Sequence, residues 1–429
     1  MRILFVVPYA PTRVRTRPFH LIRALASEGH YVSLATLCTS DAEFDSVQQL
    51  SPELDVVLAE RIHKSRSLWN CLTALPGSHP LQASYSWSPS LAQRIVQLTQ
   101  EKHFDVIHVE HLRGARYGLL LKGLETGWKG ERPAVVWDSV DCISSLFGHT
   151  ARESTTARAR MAAKIELRRT ERYEGWLTTH FDRVLVTSKN DGTELVNLAG
   201  RLDNAVKNGS RESANRRIRV IPNGVDLKYF SPSNDVREPQ TLVITGKMSY
   251  HANVTAVTHF VKEVMPKIWS ELPDVRLWIV GKDPPAEVRS LGVAWTNGQA
   301  PAVTENGQET RIQVTGTVDD IRPFLRRATV AVAPIRYGAG IQNKVLEALA
   351  CGTPVVATRG AVSALDVRAG EDIWVGDDSN GLAAGVVKLL NDRELCTRMG
   401  AAGRALVERQ HEWGAVARGL ASVYREAHV

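Results

Sequence analysis

Two groups of residues have types and spacing suited to chemistry. The first lies in APIRYGAGIQNKVLEALACGTPVVAT, residues 333–358. A strand ending near Pro334 would run into a loop of Tyr337, Gly338, Ala339 and Gly340, then a helix closed at Gly352. The first-turn amides of that helix, at Ile341, Gln342 and Asn343, have no partners within the helix. Aimed at a ligand they favour an anion such as a diphosphate, and the helix dipole adds to the attraction. Lys344 and Glu347 stand three apart and are neighbours on the helix surface. A lysine beside phosphate and a carboxylate beside ribose hydroxyls is a natural division of labour. A tight strand-to-helix turn with no ligand accounts for the glycines as well.

The second group lies in the first half. Asp138 and Asp141 follow the apolar run Ala134 to Trp137, and His108, Glu110 and His111 close the run VIHVEH. Side chains at such ends can reach a ligand; Asp138 could position a ligand hydroxyl or stabilise positive charge, and either aspartate could instead cap a helix or turn. Arg13, Arg15 and Arg17 lie in PTRVRTRP, residues 11–18. Guanidinium groups match phosphate oxygens, so this loop could take a phosphate; a solvated basic loop is the plain alternative.

The elements that must position these residues alternate. Apolar runs at Ile3 to Val7, Tyr31 to Leu37, Leu54 to Ala59, Phe104 to Val109, Ala134 to Trp137, Arg183 to Val186 and Ile218 to Ile221 suggest strands in the first half. In the second half the runs are Leu242 to Thr245, Val275 to Val280, Ile312 to Thr315, Val330 to Ala333, Val355 to Ala357 and Ile373 to Val375. Amphipathic stretches separate them, including Phe19 to Glu28, Leu91 to Lys102 and Arg152 to Trp176. Runs apolar at consecutive positions suit strands covered on both faces, and strand–helix alternation suits parallel, doubly wound sheets. Segments 200–217 and 283–310 suggest surface loops. The stretch Pro222 to Pro239, rich in Pro, Asn and Ser, is the best boundary. We expect an N-terminal domain at 1–225, with the last helix at 412–429 packing back on it, and a C-terminal domain at 236–410. Ligands of such sheets bind at strand carboxyl ends, so a small-molecule cleft between the domains is expected.

The 429 residues, 43% hydrophobic and 23% charged, exclude a disordered or collagenous chain. Five scattered cysteines without C-x-x-C spacing suit a reduced, cytoplasmic chain and offer no zinc site. The start MRILFVVPYAP breaks at Pro8 and is expected to be a buried strand rather than a leader. The net charge of +7 is mild and does not imply nucleic acid. It is localised, however. Residues 151–180 and 201–219 carry thirteen basic and six acidic residues, an excess equal to the whole net charge. Arg158, Lys164, Arg168 and Arg172 have roughly helical spacing. Such a face could rest on anionic lipid or simply be solvated.

The segment at 333–358 resembles the donor-site signature of the family 4 retaining glycosyltransferases. VIPNGVDLKYF (220–230), TLVITGKMSYHANVTAV (241–257), LWIVGKDP (277–284) and VTGTVDDIRPFLRRATVAVAP (314–334) are similar to further stretches of that family. The resemblance covers nearly all of 218–410 and, more loosely, the N-terminal half. It implies an α/β chain of the GT-B fold: two facing Rossmann-like doubly wound domains. It implies a nucleotide diphosphate sugar as donor. Lys247 takes the place of the family's diphosphate-binding Arg, with Gly246 before it. Gly316 and Val318 would meet the nucleobase. Gly338, Gly340, Ile341, Gln342 and Asn343 would line the diphosphate, and Glu347 would bind ribose hydroxyls. Three places depart from the family pattern. Ala339 stands where a first glutamate is common. Ala252, with Asn253 beside it, stands where a second basic residue is usual, and Lys344 could replace that charge. The first loop lacks the usual glycine pair, and Asp138 takes the place of a histidine.

The expected function is therefore retaining, metal-independent transfer of a sugar to an acceptor hydroxyl, with no cofactor beyond the donor. Asp138, Lys247 and Lys344 are the candidate catalytic groups. Arg13, Arg15, Arg17, Asp141 and His111 are the candidate acceptor-binding groups. The acceptor would be a polysaccharide or lipid-linked sugar in surface or exopolysaccharide assembly, met at the inner face of a membrane. The alternatives are a GT-B epimerase or phosphorylase, and a scaffold with a weakened site in a polysaccharide-assembling complex.

Overall fold

The structure is a computed structural model describing residues 1–13, 15–145, 147–148, 157–203, 209–294, 311–336 and 340–427. It separates into two compact units. One holds Met1–Asn223 and Trp413–Val429, and the other holds Gly224–Glu412.

The N-terminal unit is built on a seven-stranded sheet: β1 (Arg2–Val7), β2 (Tyr31–Cys38), β3 (Val56–Arg61), β4 (Val106–Glu110), β5 (Ala134–Val140), β6 (Arg183–Val186) and β7 (Ile218–Val220). Their order is β3-β2-β1-β4-β5-β6-β7, with every pairing parallel. Strand β1 shows why its apolar run is unbroken. Ile3, Phe5 and Val7 enter one core, with the helices Thr16–Ser27 and Trp413–Glu426, while Leu4 and Val6 enter the core on the opposite face. A strand sealed on both sides has no place for a polar residue. The last helix is bound to this unit chemically as well. Its Trp413 ring stacks on His20 with centroids 5.2 Å apart, and the Tyr424 hydroxyl meets His108 Nδ1 at 2.7 Å.

The C-terminal unit repeats the plan with β8 (Glu238–Thr245), β9 (Arg276–Val280), β10 (Val293–Ala294), β11 (Ile312–Gly316), β12 (Ala328–Ala333), β13 (Val355–Ala357) and β14 (Trp374–Val375). The order is β10-β11-β9-β8-β12-β13-β14, again all parallel. Here Val243 faces one core, and Leu242 and Ile244 face the other. Each sheet reverses its strand order once, between β1 and β4 and between β8 and β12. Those reversals leave a crevice at the strand carboxyl ends, where open sheets of this kind receive ligands.

Two expectations need correction. Segment 200–217 is not a plain loop: a helix runs over Lys189–Asp203 and another over Ser210–Arg217. The second is polar apart from the buried Ala214 and gains an Arg216–Glu212 pair one turn apart at 2.6 Å. Segment 283–310 contains a short helix, Ala286–Arg289, and β10, and its residues 295–310 lie outside the described ones. Among the described residues no helix is long and apolar enough to cross a membrane.

Candidate functional site

At the crevice of the second sheet, the loops after β8 and β9 press backbone against backbone. Gly246 N donates to Val280 O at 3.1 Å and Met248 N to Lys282 O at 2.8 Å. A Cβ on Gly281, whose φ is 156°, would lie 1.7 Å from Gly246 O. Only glycine permits that approach. The result is a narrow ledge that ends in the exposed Lys247.

Two side chains, of Asn253 and Lys344, meet at the ledge. The Lys247 carbonyl accepts Asn253 Nδ2 at 2.8 Å, and Asn253 Oδ1 accepts Lys344 Nζ. A Cβ on Gly246 would lie 3.2 Å from Lys344 Nζ, so the ammonium rests against the bare glycine. Lys344 and Glu347 belong to the helix Asn343–Ala350, which follows β12. Burial pushes the Lys344 ammonium down to about 8, against the pull of Glu347. Burial pushes the Glu347 carboxyl up to about 7, opposed by Lys344. Both groups are shifted to titrate closer to neutral pH because taking charge from water is costly and no full partner repays it. Among the described residues the Glu347 carboxylate has no hydrogen-bond partner.

The other donor-side candidates fall around this cluster. Gly340, with φ 69°, precedes the helix, Ile341 is buried in the core, and Gln342 begins the first turn without capping it by its side chain. Asn343 is the first residue of the helix. Gly316, at φ 70°, accepts Gly281 N at 3.2 Å and so joins the ledge, while Val318 packs against the core. Gly338 and Ala339 lie outside the described residues. Sequence reasoning named Asn253 only as the neighbour of Ala252 and gave it no role. Ala252, five after Lys247, points into the core at 3% exposure, and the next residue meets the ledge. The signal was the helix start: Asn253 N bonds Tyr250 O at 2.9 Å, placing it in the first turn with its side chain turned back.

At the crevice of the first sheet the candidates are arranged otherwise. Arg17 is not on a loop reaching a ligand. It lies in the first turn of Thr16–Ser27, buried, with Nε 2.8 Å from Asp138 Oδ2 and Nη1 on the Ile221 carbonyl at 3.0 Å. Asp138 does not reach the surface either. It is fully buried, and Oδ2 also stands 3.5 Å from His108 Nε2, while Oδ1 accepts Val140 N at 3.1 Å. That last bond holds a strained place. Val140 has φ 68°, an outlier for a β-branched residue, and the β5–β6 register shifts between Asp138 and Val140. The kink brings Asp141 to the strand end, half-buried, with the Thr187 hydroxyl donating to it at 3.0 Å. Burial, then the nearby Asp191, lifts the Asp141 carboxyl to about 6.

Arg15 is also occupied. It pairs with Glu43 at 3.0 Å and lies over the Tyr9 ring. Arg13 is exposed and lines a pocket of about 430 Å³ with Phe19, Arg23 and Glu53. Tyr9 bridges the crevice, donating to Glu110 Oε1 at 2.6 Å. Burial and Asp138 raise the Glu110 carboxyl to about 8. His111 takes φ 63° just past β4, and burial, then Arg113, lowers its ring to about 4. Strained backbone at two neighbouring strand ends, with Glu110 and His111 uncharged near pH 7, suits a site that binds by hydrogen bonds.

The profile described as Glycosyltransferase Family 4 matches residues 14–229, and that described as Glycosyl transferases group 1 matches residues 239–392. A phosphatidyl-myo-inositol mannosyltransferase of Mycobacterium tuberculosis is 30% identical over 219 residues, covering 48% of this chain and 53% of that protein. A lipopolysaccharide core biosynthesis glycosyltransferase of Rhizobium meliloti is 32% identical over 145 residues, covering 33% and 37%. The chain thus spans about half the length, or less, of these two relatives. The crystal structure of Anabaena HepE in complex with UDP superposes with a TM-score of 0.64 at 15% identity, over 99% of this chain and all of that one. Two Rossmann-like parallel sheets with that likeness are the GT-B fold, and with the first profile matching half its length, the chain belongs to glycosyltransferase family 4.

Proposed function

We propose that the chain transfers a sugar, with retention and without a metal ion, from a nucleotide diphosphate sugar to an acceptor hydroxyl. The observation that carries this reading is the meeting of Gly246, Lys247, Asn253 and Lys344 at one strand-end ledge. A diphosphate laid on it would face two ammonium groups and the amides that open the helix Asn343–Ala350. As the bond from the sugar carbon to the phosphate oxygen lengthens, negative charge builds on the diphosphate. Fixed cations there stabilise the transition state more than the bound donor. Glu347, one turn further along, would accept ribose hydroxyls.

On the N-terminal unit, Asp141, His111 and Tyr9 would orient the acceptor, and Arg13 would meet its negative charge. Asp138 then acts as a positioning residue, since it holds the Val140 kink that aims Asp141. The curated relatives are named for a phosphatidyl-inositol lipid and for lipopolysaccharide core, which supports a lipid-linked or polysaccharide acceptor. Assembly of a surface polysaccharide beside an anionic membrane belongs to the same proposal.

The test is a thermal-shift screen against UDP, GDP, ADP and their sugars, followed by assay of nucleotide release. Stabilisation with release is expected. A second reading, a scaffold with a weakened site, is favoured by the enclosure of Asp138 and by Ala339 at the family's first carboxylate position. Stabilisation without release under any acceptor would establish it.

A further inference from the structure

The helix Lys64–Ala74, KSRSLWNCLTA, is built inside out. Its buried positions are Ser67 and Asn70, and Asn70 Nδ2 is tied inward to the Trp87 carbonyl at 2.9 Å. Leu68, Trp69 and Leu72, with Leu75 just beyond, point to solvent, Trp69 at 60% exposure. Water penalises that arrangement, since each apolar side chain is left hydrated while polar groups are enclosed. Nor is it scattered surface apolarity. Of the twelve exposed large apolar side chains among the described residues, seven lie on this segment and on the helix Ala157–Leu177.

The two helices are joined. Arg169 donates to the Leu75 carbonyl at 2.7 Å, and Glu166 accepts Leu81 N at 2.6 Å. Met161 and Ile165, both exposed, stand eight and four residues before Arg169, hence on the helix face that adjoins Leu75. Exposed cations border this apolar area, while Glu166 and Glu171 of the helix Ala157–Leu177 are half-buried and occupied by Leu81 N and Arg201. Lys64, Arg66, Lys164, Arg168 and Arg172 are exposed and form no ion pair among the described residues, and the helix Lys64–Ala74 carries no acidic residue. Arg158 lies outside the described side chains.

We propose that this face lies in the surface of an anionic bilayer, with Leu68, Trp69 and Leu72 among the acyl chains and the five cations at the headgroups. An apolar helix face bordered by lysine and arginine is what an interfacial helix requires. Tryptophan is favoured at the same depth, and each headgroup-level cation adds to binding. The inference goes beyond a basic patch attracted to lipid, because it assigns insertion to a helix that carries little of the basic excess. It is also independent of the donor chemistry.

The full chain is tested by co-sedimentation with vesicles of phosphatidylglycerol and phosphatidylcholine, and of phosphatidylcholine alone. Wild type should bind the anionic vesicles about tenfold more tightly or better, and lose binding as salt rises. The double variant Trp69→Ser, Leu72→Ser should lower binding about tenfold or more with melting temperature and nucleotide affinity unchanged. Lys164→Gln with Arg168→Gln and Arg172→Gln should remove the preference for anionic vesicles. No binding by wild type, or equal binding by the serine variant, overturns the proposal. So does a concentration-dependent dimer, seen by sedimentation velocity, that the serine variant dissolves, because the face would then belong to a second copy. Failure of nucleotide binding in wild type would count against the glycosyl-transfer reading and leave the vesicle result standing.

Discussion

Arg17 and Asp138 in the N-terminal unit form an ion pair in which both partners are buried, whereas Lys344 and Glu347 in the C-terminal unit make no ion pair and sit one helical turn apart. Both pairs lie at the carboxyl ends of a seven-stranded parallel sheet, beside its switch point. In the first pair each charge is neutralised by the other, and the bond serves to hold the chain in place. It ties the helix Thr16–Ser27 to β5 and to the Ile221 carbonyl, and it supports the Val140 kink. In the second pair an ammonium and a carboxyl are both drawn toward neutrality, near pH 8 and 7. Groups left in that state, in a crevice, are what a charged ligand can complete. The difference separates a structural ion pair from a binding pair, although both are acid–base pairs at the same place in the same fold.

The strongest way to break the comparison is Arg17→Met. Leaving Asp138 buried without its partner should cost about 3–5 kcal/mol, read as a lower denaturant midpoint. Replacing both, Arg17→Met with Asp138→Leu, should recover part of that loss. Stability equal to wild type in the single variant would mean the pair holds nothing.

Next in size is Lys247→Ala. Removing an exposed cation should leave the fold intact and lower turnover about 100- to 1000-fold, the range for a group that stabilises developing charge. Steady-state rates at saturating donor check it, and a loss no larger than that of Glu347→Ala would count against a leaving-group role. Glu347→Ala should weaken donor binding by about 1–3 kcal/mol in titration calorimetry, with Glu347→Gln between it and wild type. Unchanged affinity would remove the ribose role.

The smallest effect is the pH dependence. The Glu347 carboxyl gains its proton as pH falls through about 7, and Lys344 loses its charge as pH rises through about 8. Donor affinity should therefore peak between these values and fall by up to about tenfold per pH unit on either side. A diphosphate arriving beside Lys344 should raise its affinity for protons, so binding above pH 8 should take up a proton. Binding heats compared in buffers of different ionisation enthalpy would show it.

Much of this was legible in the sequence, for reasons that differ by region. The thirteen expected strands are all present, and the central ones such as β1 and β4 were the clearest because a strand sealed on both faces leaves an unbroken apolar run. Strand β10, two residues long, leaves no such trace. The helix Lys64–Ala74 escaped notice because its apolar residues are on the outside, against the usual pattern. Gly246, Lys247, Lys344 and Glu347 could be named as candidates from the sequence because each belongs to a contiguous motif. Arg17 was misplaced because Pro18 reads as a loop signal. Proline is tolerated in a helix's first turn, where the amide has no partner to lose, and that is where Pro18 lies. The bond from Tyr424 to His108 joins residues 316 apart, and no local pattern announces it.

The central claim is that the ledge of Gly246, Lys247, Asn253 and Lys344 holds the diphosphate of the donor. The most direct measurement is calorimetric titration of nucleoside diphosphates and monophosphates into wild type and Lys344→Met at pH 7.5, a value chosen from the window of about 7 to 8. The account predicts that at least one diphosphate binds about tenfold or more tightly than its monophosphate, and that Lys344→Met removes most of that difference. Equal affinity for the two, or a preference that survives the loss of Lys344, would contradict it.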